Sequence, residues 1–332
     1  MGQPQRSPRI SAVILNYNTR ELLLNCLRAL AAEKPRTDIE VLVVDNASDD
    51  GSADAVRQRF PNVALLANDQ NLLYARGMNL GASQARGEFV VFLNADTEVS
   101  ADQLEALGAY LRQHPQVGAV GPLQMRASGK LERPRRHDLS LVSFLAGLIG
   151  LESFLGRISG RPVSGAVAWL SGSCLMVRRG LGARIGFFDA GYPLYWEDRD
   201  LSRRIREYGY ELHLLTEVAI VHHHGASTGQ VDRGTRRRWE AQGFVRYVRK
   251  HYSHGYGSVI VGVRLALCVL GGLLRGAVAL ATFGLLKHLA PPSESFSVAR
   301  VLWARAFTDV ESAQREDTIE PPPEGTRGSE RK

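Results

Sequence analysis

Polar residues stand where three apolar runs stop: Asn16-Tyr17-Asn18 after Ile10–Leu15, Asp45-Asn46 within VVDNASDDGS, and Asn94-Ala95-Asp96 after Glu88–Leu93. A nucleotide base needs an aromatic platform and a hydrogen-bond acceptor, which Tyr17 and Asp45 could supply, with Asn18 beside them. A leaving diphosphate develops negative charge, and a hard oxygen ligand such as Asp96 holds the divalent cation that stabilises it. Either acid taken alone also reads as the cap of a following turn or helix. Two acidic strand ends with an aromatic residue between them favour a site.

A second group is Tyr195-Trp196-Glu197-Asp198-Arg199-Asp200-Leu201, leading into a helical pattern in which Leu201 and Ile205 share a face. Acids at a helix start also suit the macrodipole. Phe187, Phe188, Tyr192 and Tyr195 lie just upstream, where they could wall a pocket in which one carboxylate acts as a base. A third group is His222-His223-His224. In an extended chain His222 and His224 point one way and His223 the other. One imidazole could complete a metal or phosphate site, and the alternative is a set of surface imidazoles.

The elements that must position these groups follow from periodicity. Strands are expected at Ile10–Leu15, Glu40–Val44, Val63–Ala67, Glu88–Leu93 and Gly118–Pro122, one or two within Ala166–Val177, and another at Val218–Val221. Helices are expected over Arg20–Glu33, 52–60, 73–85 and 101–113. Asn18 with Glu21 and Ser100 with Gln103 read as helix caps. Strands alternating with helices imply an α/β, doubly wound parallel sheet, which binds ligands beyond its strands' carboxyl ends. A less regular stretch, 126–166, holds a loop with Arg133, Arg135, Arg136 and His137, and a short helix is expected over Leu139–Leu151.

The pieces SAVILNYNT, VVDNASDDGS, NLLYARGMNLGASQARGEFVVFLNADTEV, WLSGSCLMVRR, GFFDAGYPLYWEDRDLSRRIREYGY and VAIVHHHGAST, in this order over residues 9–230, resemble the family 2 glycosyltransferases, in particular their rhamnosyltransferase-like branch, which builds bacterial surface glycans. The resemblance implies a GT-A fold: a mostly parallel, Rossmann-like nucleotide-binding sheet, here with a C-terminal helical appendage. It implies inversion at the anomeric carbon and a divalent metal, Mg²⁺ or Mn²⁺. The donor would be a nucleotide-diphosphate sugar and the acceptor a glycan or a polyprenyl-linked glycan. It assigns Tyr17 and Asp45 to the nucleoside and Asp96 to the metal, with Asn94 opening the Asp-x-Asp-like motif. Asp198 would be the general base with Glu197 as its neighbour. His222 would lie near the metal or diphosphate, and Arg76 in the segment facing the phosphates. Leu73 stands where the family usually has glycine, and Asn94 where many relatives have aspartate.

Composition agrees with a globular enzyme: 332 residues, 44% hydrophobic and 23% charged, long enough for one large α/β domain and an appendage. The net charge of +7 suits anionic partners. Cys26, Cys174 and Cys268 lack metal or disulfide spacing, so a reducing compartment is expected. The polar start, Met1–Arg9, lacks the apolar core of a signal peptide, and export is not expected. A basic run from Arg233 to Lys250 interleaves with Trp239, Phe244 and Tyr247. It raises the alternative of a non-catalytic protein binding membrane or nucleic acid, but no nucleic-acid motif accompanies it. No G-x-G-x-x-G follows the first strand, against a dinucleotide oxidoreductase.

The expected organisation is a disordered 1–8, a glycosyltransferase domain over 9–256, an apolar helical segment over 257–310 and a disordered 311–332. Val259–Leu286 is long enough to cross a bilayer but carries Arg264 and Arg275, eleven residues apart and on one helical face. It fits a membrane span, a helix pair packed on the catalytic domain and broken near Gly271-Gly272, or an interfacial helix with its arginines among the headgroups. The last, at the cytoplasmic membrane face, is preferred, with the basic run attracted to anionic lipid.

Overall fold

A computed structural model describes residues 9–31, 39–132, 138–142, 163–223, 229, 231–281 and 292–307. The expected basic loop at 133–137, nearly all of the helix expected over Leu139–Leu151, His224, and the expected disordered ends at 1–8 and 311–332 lie outside the described residues.

By compactness the chain forms two units. The first is Met1–Ala190 with Trp196–Ser227, and the second is Gly191–Tyr195 with Thr228–Lys332. The first unit opens with β1 (Ile10–Asn16), α1 (Arg20–Ala31), β2 (Ile39–Asp45), α2 (Ser52–Arg59), β3 (Ala64–Ala67), α3 (Leu73–Gln84) and β4 (Phe89–Asn94). Then come β5 (Thr97–Glu98), α4 (Ala101–Gln113), β6 (Val117–Arg126), β7 (Gly165–Ala166), β8 (Cys174–Arg178), α5 (Arg179–Ile185), α6 (Glu197–Glu207) and β9 (Glu211–His222).

These strands form one sheet in the order β3-β2-β1-β4-β8-β6-β9-β5, with β7 also paired to β9. The parallel arrangement expected from alternating elements holds for β3, β2, β1 and β4, and for β6 with β9. β8 runs antiparallel to β4 and β6, and β5 and β7 antiparallel to β9.

Side-chain alternation builds a core on each face of the sheet. Ile10, Ala12 and Ile14 of β1 join Phe89, Val91 and Leu93 of β4 on one face, under Leu23 and Leu27 of α1, Val56 of α2 and Leu104 of α4. Val13, Val90 and Phe92 face the other way, under Met78 of α3, Leu181 of α5 and Leu201 and Ile205 of α6. Strands buried on both faces read as continuous apolar runs, which is why they were visible in the sequence.

The expected Ser100–Gln103 capping box forms at α4. The Asn18–Glu21 box does not. The Arg20 N–H at the start of α1 is taken by Asp50 Oδ2 at 2.8 Å, while Asn18 Oδ1 accepts from the Asp49 N–H at 2.8 Å. Asn18 sits at φ +50°, a left-handed conformation that asparagine tolerates.

The second unit holds α7 (Arg233–His251), α8 (His254–Ala281) and α9 (Pro292–Phe307). Asp232 caps α7 through the Thr235 N–H at 2.9 Å. The sequence reading grouped α7 with the catalytic part; by compactness it belongs with α8 and α9. α8 runs unbroken through Gly271-Gly272, where one of the three sequence readings placed a break, and Gly272 sits against the Phe296 ring of α9.

Candidate active site

Strand order reverses between β1 and β4, the place where a doubly wound sheet opens a crevice beyond its carboxyl ends. Pairing register sets Asn16 beside Asp45 and Leu15 beside Asn94, so three of the chemistry-bearing runs end side by side. Asp45 is 2% exposed. Its Oδ1 accepts from Asn16 Nδ2 and Ser48 Oγ, both at 2.7 Å, and its Oδ2 from the Ser48 N–H at 3.0 Å. A carboxylate has about four acceptor sites, so one remains. Asp45 is therefore a fixed part of the β2–α2 turn, and it is not the cap of α2. Tyr17 is half-buried one residue past β1. The Asn18 N–H donates to Ser48 Oγ at 3.0 Å, which laces the two loops together.

The next loop is tied by Asn46, whose Nδ2 donates to the Leu73 carbonyl at 3.2 Å and whose Oδ1 accepts from Asn68 Nδ2 at 3.0 Å. Leu73, where the family usually has glycine, adopts φ +60°, and its N–H donates to Asn71 Oδ1 at 2.8 Å. The loop keeps a glycine-like conformation with a branched side chain in it. Arg76 follows in the first turn of α3 with its side chain exposed.

Asp96 and His222 meet. The short strand β5 pairs Thr97 with His222, and the His223 N–H donates to the Asp96 carbonyl at 2.9 Å. This pairing brings His222 Nε2 to 3.2 Å from Asp96 Oδ1, both residues being buried. His223 points to the other side, its Nε2 2.7 Å from Glu98 Oε1, as strand alternation requires. Among the described residues no three His, Cys, Asp or Glu side chains cluster as a metal cage. The pair offers one carboxylate oxygen and one imidazole nitrogen on converging elements, a mixed oxygen and nitrogen set that fits Mn²⁺ better than the oxygen-demanding Mg²⁺. Asn94 is half-buried at the end of β4, and its N–H donates to the Ser173 carbonyl at 3.1 Å.

Glu197 and Asp198 open α6, after Tyr195 (φ +64°) and Trp196 (φ +73°), two successive left-handed residues that turn the chain sharply into the helix. Asp198 Oδ2 accepts from the Gly172 N–H at 3.2 Å, and its Oδ1 from the Arg199 N–H at 2.8 Å. Glu197 is the deeper of the two, and its Oε2 is buried with no hydrogen-bond partner among the described residues. Burial, and then the Asp198 charge, push the Glu197 carboxyl well above the usual carboxylate range. Burial also raises Asp198, against the opposing pull of Arg199.

The segment Leu170–Ser173 joins the two halves of the site, a role that the sequence did not reveal. Asp198 and Ser202, four residues apart on α6, hold it through the Gly172 N–H and the Leu170 N–H, the latter at 3.2 Å. From the other side Tyr74 Oη of α3 donates to the Gly172 carbonyl at 2.7 Å. The next carbonyl, Ser173, receives the Asn94 N–H and, at 3.2 Å, Thr97 Oγ1. A Cβ at Gly172 would meet Tyr74 Oη at 2.7 Å, so any other residue there would have to displace the Tyr74 hydroxyl or the segment. Arg199 lies between two indoles, its guanidinium carbon 4.6 Å from the Trp169 ring and 4.7 Å from the Trp196 ring, fastening the same segment to α6.

Of the four aromatics expected to wall a pocket, Phe187, Phe188 and Tyr192 pack into cores, while Tyr195 is exposed. Phe188 and Phe187 pack on Phe92 at 4.7 and 5.8 Å, and Phe188 on Tyr74 at 5.4 Å, beneath β4. Tyr192 is buried, with the Arg246 guanidinium 5.4 Å from its ring in the second unit. These rings fill cores, where their apolar area is worth most.

The family model described as glycosyl transferase family 2 matches residues 11–181. The chain is a family 2 glycosyltransferase. It is similar to the N-acetylglucosaminyl-diphospho-decaprenol L-rhamnosyltransferase of Mycobacterium tuberculosis, 32% identical over 226 residues, which cover 61% of this glycosyltransferase and 71% of the relative. It is similar to the O-antigen biosynthesis protein RfbC of Myxococcus xanthus, 26% identical over 238 residues, 67% of this chain and only 18% of that one. Among solved structures, a mannosyltransferase from Pyrobaculum calidifontis in complex with GDP-Man and Mn²⁺ superposes with a TM-score of 0.53, at 24% identity over 91% of this chain and 87% of that one. GalNAc-T7 with UDP, GalNAc and Mn²⁺ gives 0.51, at 16% identity over 66% of this glycosyltransferase and 44% of that chain. At these identities the likeness concerns the fold, which is the GT-A fold expected from the sequence.

Proposed function

We propose that this glycosyltransferase moves a sugar, rhamnose by its likeness to the mycobacterial enzyme, from a nucleotide-diphosphate donor to a lipid-linked glycan acceptor, with inversion and with a divalent metal. Such an acceptor places the work at the cytoplasmic membrane face, in cell-surface polysaccharide synthesis. The observation that carries the reading is the Gly172–Ser173 pair, whose backbone N–H and carbonyl tie the base candidate Asp198 to the strand end leading to Asp96.

In this reading Tyr17 stacks on the base, Asn18 borders it, and the remaining acceptor site of Asp45 takes one base N–H. Arg76 faces the phosphates. Asp96 and His222 would hold the divalent cation, which would supply charge stabilisation to the leaving diphosphate. Glu197, the deeper carboxyl, keeps the proton that the acidic pair shares, leaving Asp198 ionised. Asp198 takes the proton of the acceptor hydroxyl as that oxygen bonds to the anomeric carbon. The bond from that carbon to the diphosphate oxygen breaks on the opposite face, and the electron pair leaves with the nucleotide. A single displacement of this kind inverts the anomeric centre.

The test is to mix pure protein with UDP-, dTDP- and GDP-sugars, Mg²⁺ or Mn²⁺, and a short-chain polyprenyl-diphosphate glycan, following nucleotide release and the anomeric configuration of the product. A retained configuration removes the single displacement. No release with any donor removes the reading.

A further inference from the structure

α8 carries an outward face that the transfer chemistry does not use. By length and composition His254–Leu274 could cross a membrane. Its exposed positions include Val259, Gly262, Ala266, Leu270, Leu273 and Ala277, which recur at steps of three and four. They form one stripe about 27 Å long at 1.5 Å per residue. No charged residue belongs to it among the described side chains. Leu270, Leu273 and Leu274 are 63%, 58% and 64% exposed, and Trp303 of the neighbouring α9 is 61% exposed. Monomeric soluble proteins rarely leave such a run uncovered.

Of the two arginines expected among headgroups, Arg264 is elsewhere, and the side chain of Arg275 lies outside the described residues. Arg264 turns inward, its Nη2 3.1 Å from Glu240 Oε1 and its guanidinium carbon 4.1 Å from the Phe244 ring, both on α7. Arg264 is thereby kept off the stripe. The same contact holds α7 beside the first half of α8, and Val248 of α7 lies against Gly257. α7 carries Arg233, Arg236, Arg237 and Arg238 near its start and Arg249, Lys250 and His251 in its last turn. A helix so charged cannot enter hydrocarbon, so the part of α8 level with it cannot sit at a bilayer centre.

We infer that the α8 stripe, deepest at Leu270, Leu273 and Leu274, inserts from one side into a bilayer rich in anionic lipid, with the basic residues of α7 at the headgroups. Charge chooses the occupant: a second copy would set basic helix against basic helix, whereas an anionic surface attracts it. The inference deepens the membrane placement proposed above but does not rest on the acceptor.

The experiment floats the full chain with vesicles of equal parts phosphatidylcholine and phosphatidylglycerol. The wild type is expected to float at low salt and to be released by alkaline carbonate. The double variant Leu270→Asp, Leu273→Asp is expected to lose at least about tenfold in bound fraction, while keeping wild-type circular dichroism and wild-type turnover of a water-soluble short-chain acceptor. A wild type that stays at the bottom overturns the inference, as does a double variant that floats equally well. Carbonate-resistant binding means a full span and overturns one-sided insertion. Turnover on the soluble acceptor reports separately on the proposed reaction.

Discussion

Glu197 and Asp198 are neighbours in the chain with different tasks set by depth. Asp198→Asn is nearly isosteric but cannot accept a proton. Its kcat should fall by at least about 10²-fold while donor binding, followed by calorimetry, persists. A dead Glu197→Gln beside an active Asp198→Asn would reverse the roles. Because the folded state holds both carboxyls above their usual range, activity should drop on acidification at a higher pH than an exposed carboxylate would dictate. The stability sign follows. A raised carboxyl pKa means that the fold disfavours the charged form, so stability is full below the unfolded pKa and is lost as pH rises towards the folded one. Glu197→Gln should therefore gain in melting temperature over wild type more at pH 8 than at pH 5. For the metal pair, Asp96→Ala should abolish transfer, and EDTA should do so reversibly in the wild type. Full activity in EDTA would remove the metal from the mechanism. The sequence made these side chains legible because strand ends and helix starts are marked by residue type. It hid Tyr74, Trp169, Arg199 and Gly172, whose parts depend on packing and on peptide groups that every residue carries.

Among the elements, the loop before α3 holds a measurable strain. Leu73 at φ +60° bears a left-handed penalty of roughly 1–2 kcal/mol, partly offset in a glycine variant by about 0.5–1 kcal/mol of chain entropy. Leu73→Gly should leave stability equal or up to about 1 kcal/mol higher by denaturant titration; a clear loss would show that the leucine side chain contributes packing that outweighs its backbone. Gly172→Ala should do the opposite, displacing Tyr74 or the segment beneath Asp198 and lowering kcat more than donor affinity. Buried strands were legible as apolar runs. β9 was legible only over Val218–Val221, because Glu211 and His213 begin it with polar alternation. The direction of β8 was not legible at all, since periodicity is the same in either sense. The Asn18 cap failed for a related reason: Asp50, thirty residues away, reaches the same helix start.

For the molecule as a whole, two compact units should melt in two steps. Saturating nucleotide diphosphate with Mn²⁺ should raise only the transition of the sheet-bearing unit, by about 2.7 kcal/mol at a hundredfold excess over Kd. Scanning calorimetry reads this directly, and an equal rise in both transitions would place ligand contacts in both. The apolar change of character after Ser258 was plain in the sequence. The place of α7 was not, because it rests on Arg264 meeting Glu240 and Phe244 across a helix pair.

β9 carries three extra residues between Leu215 and Ala219, opposite consecutive Pro122 and Leu123 of β6. Pairing is already interrupted there, so the chain can change length at that point without disturbing the ladders on either side. A descendant that gained or lost a residue in the bulge would therefore keep His222 opposite Thr97 and beside Asp96. The bulge separates the length of β9 from the register that makes the Asp96–His222 pair, so the loop side of the strand can vary while the pair stays in place.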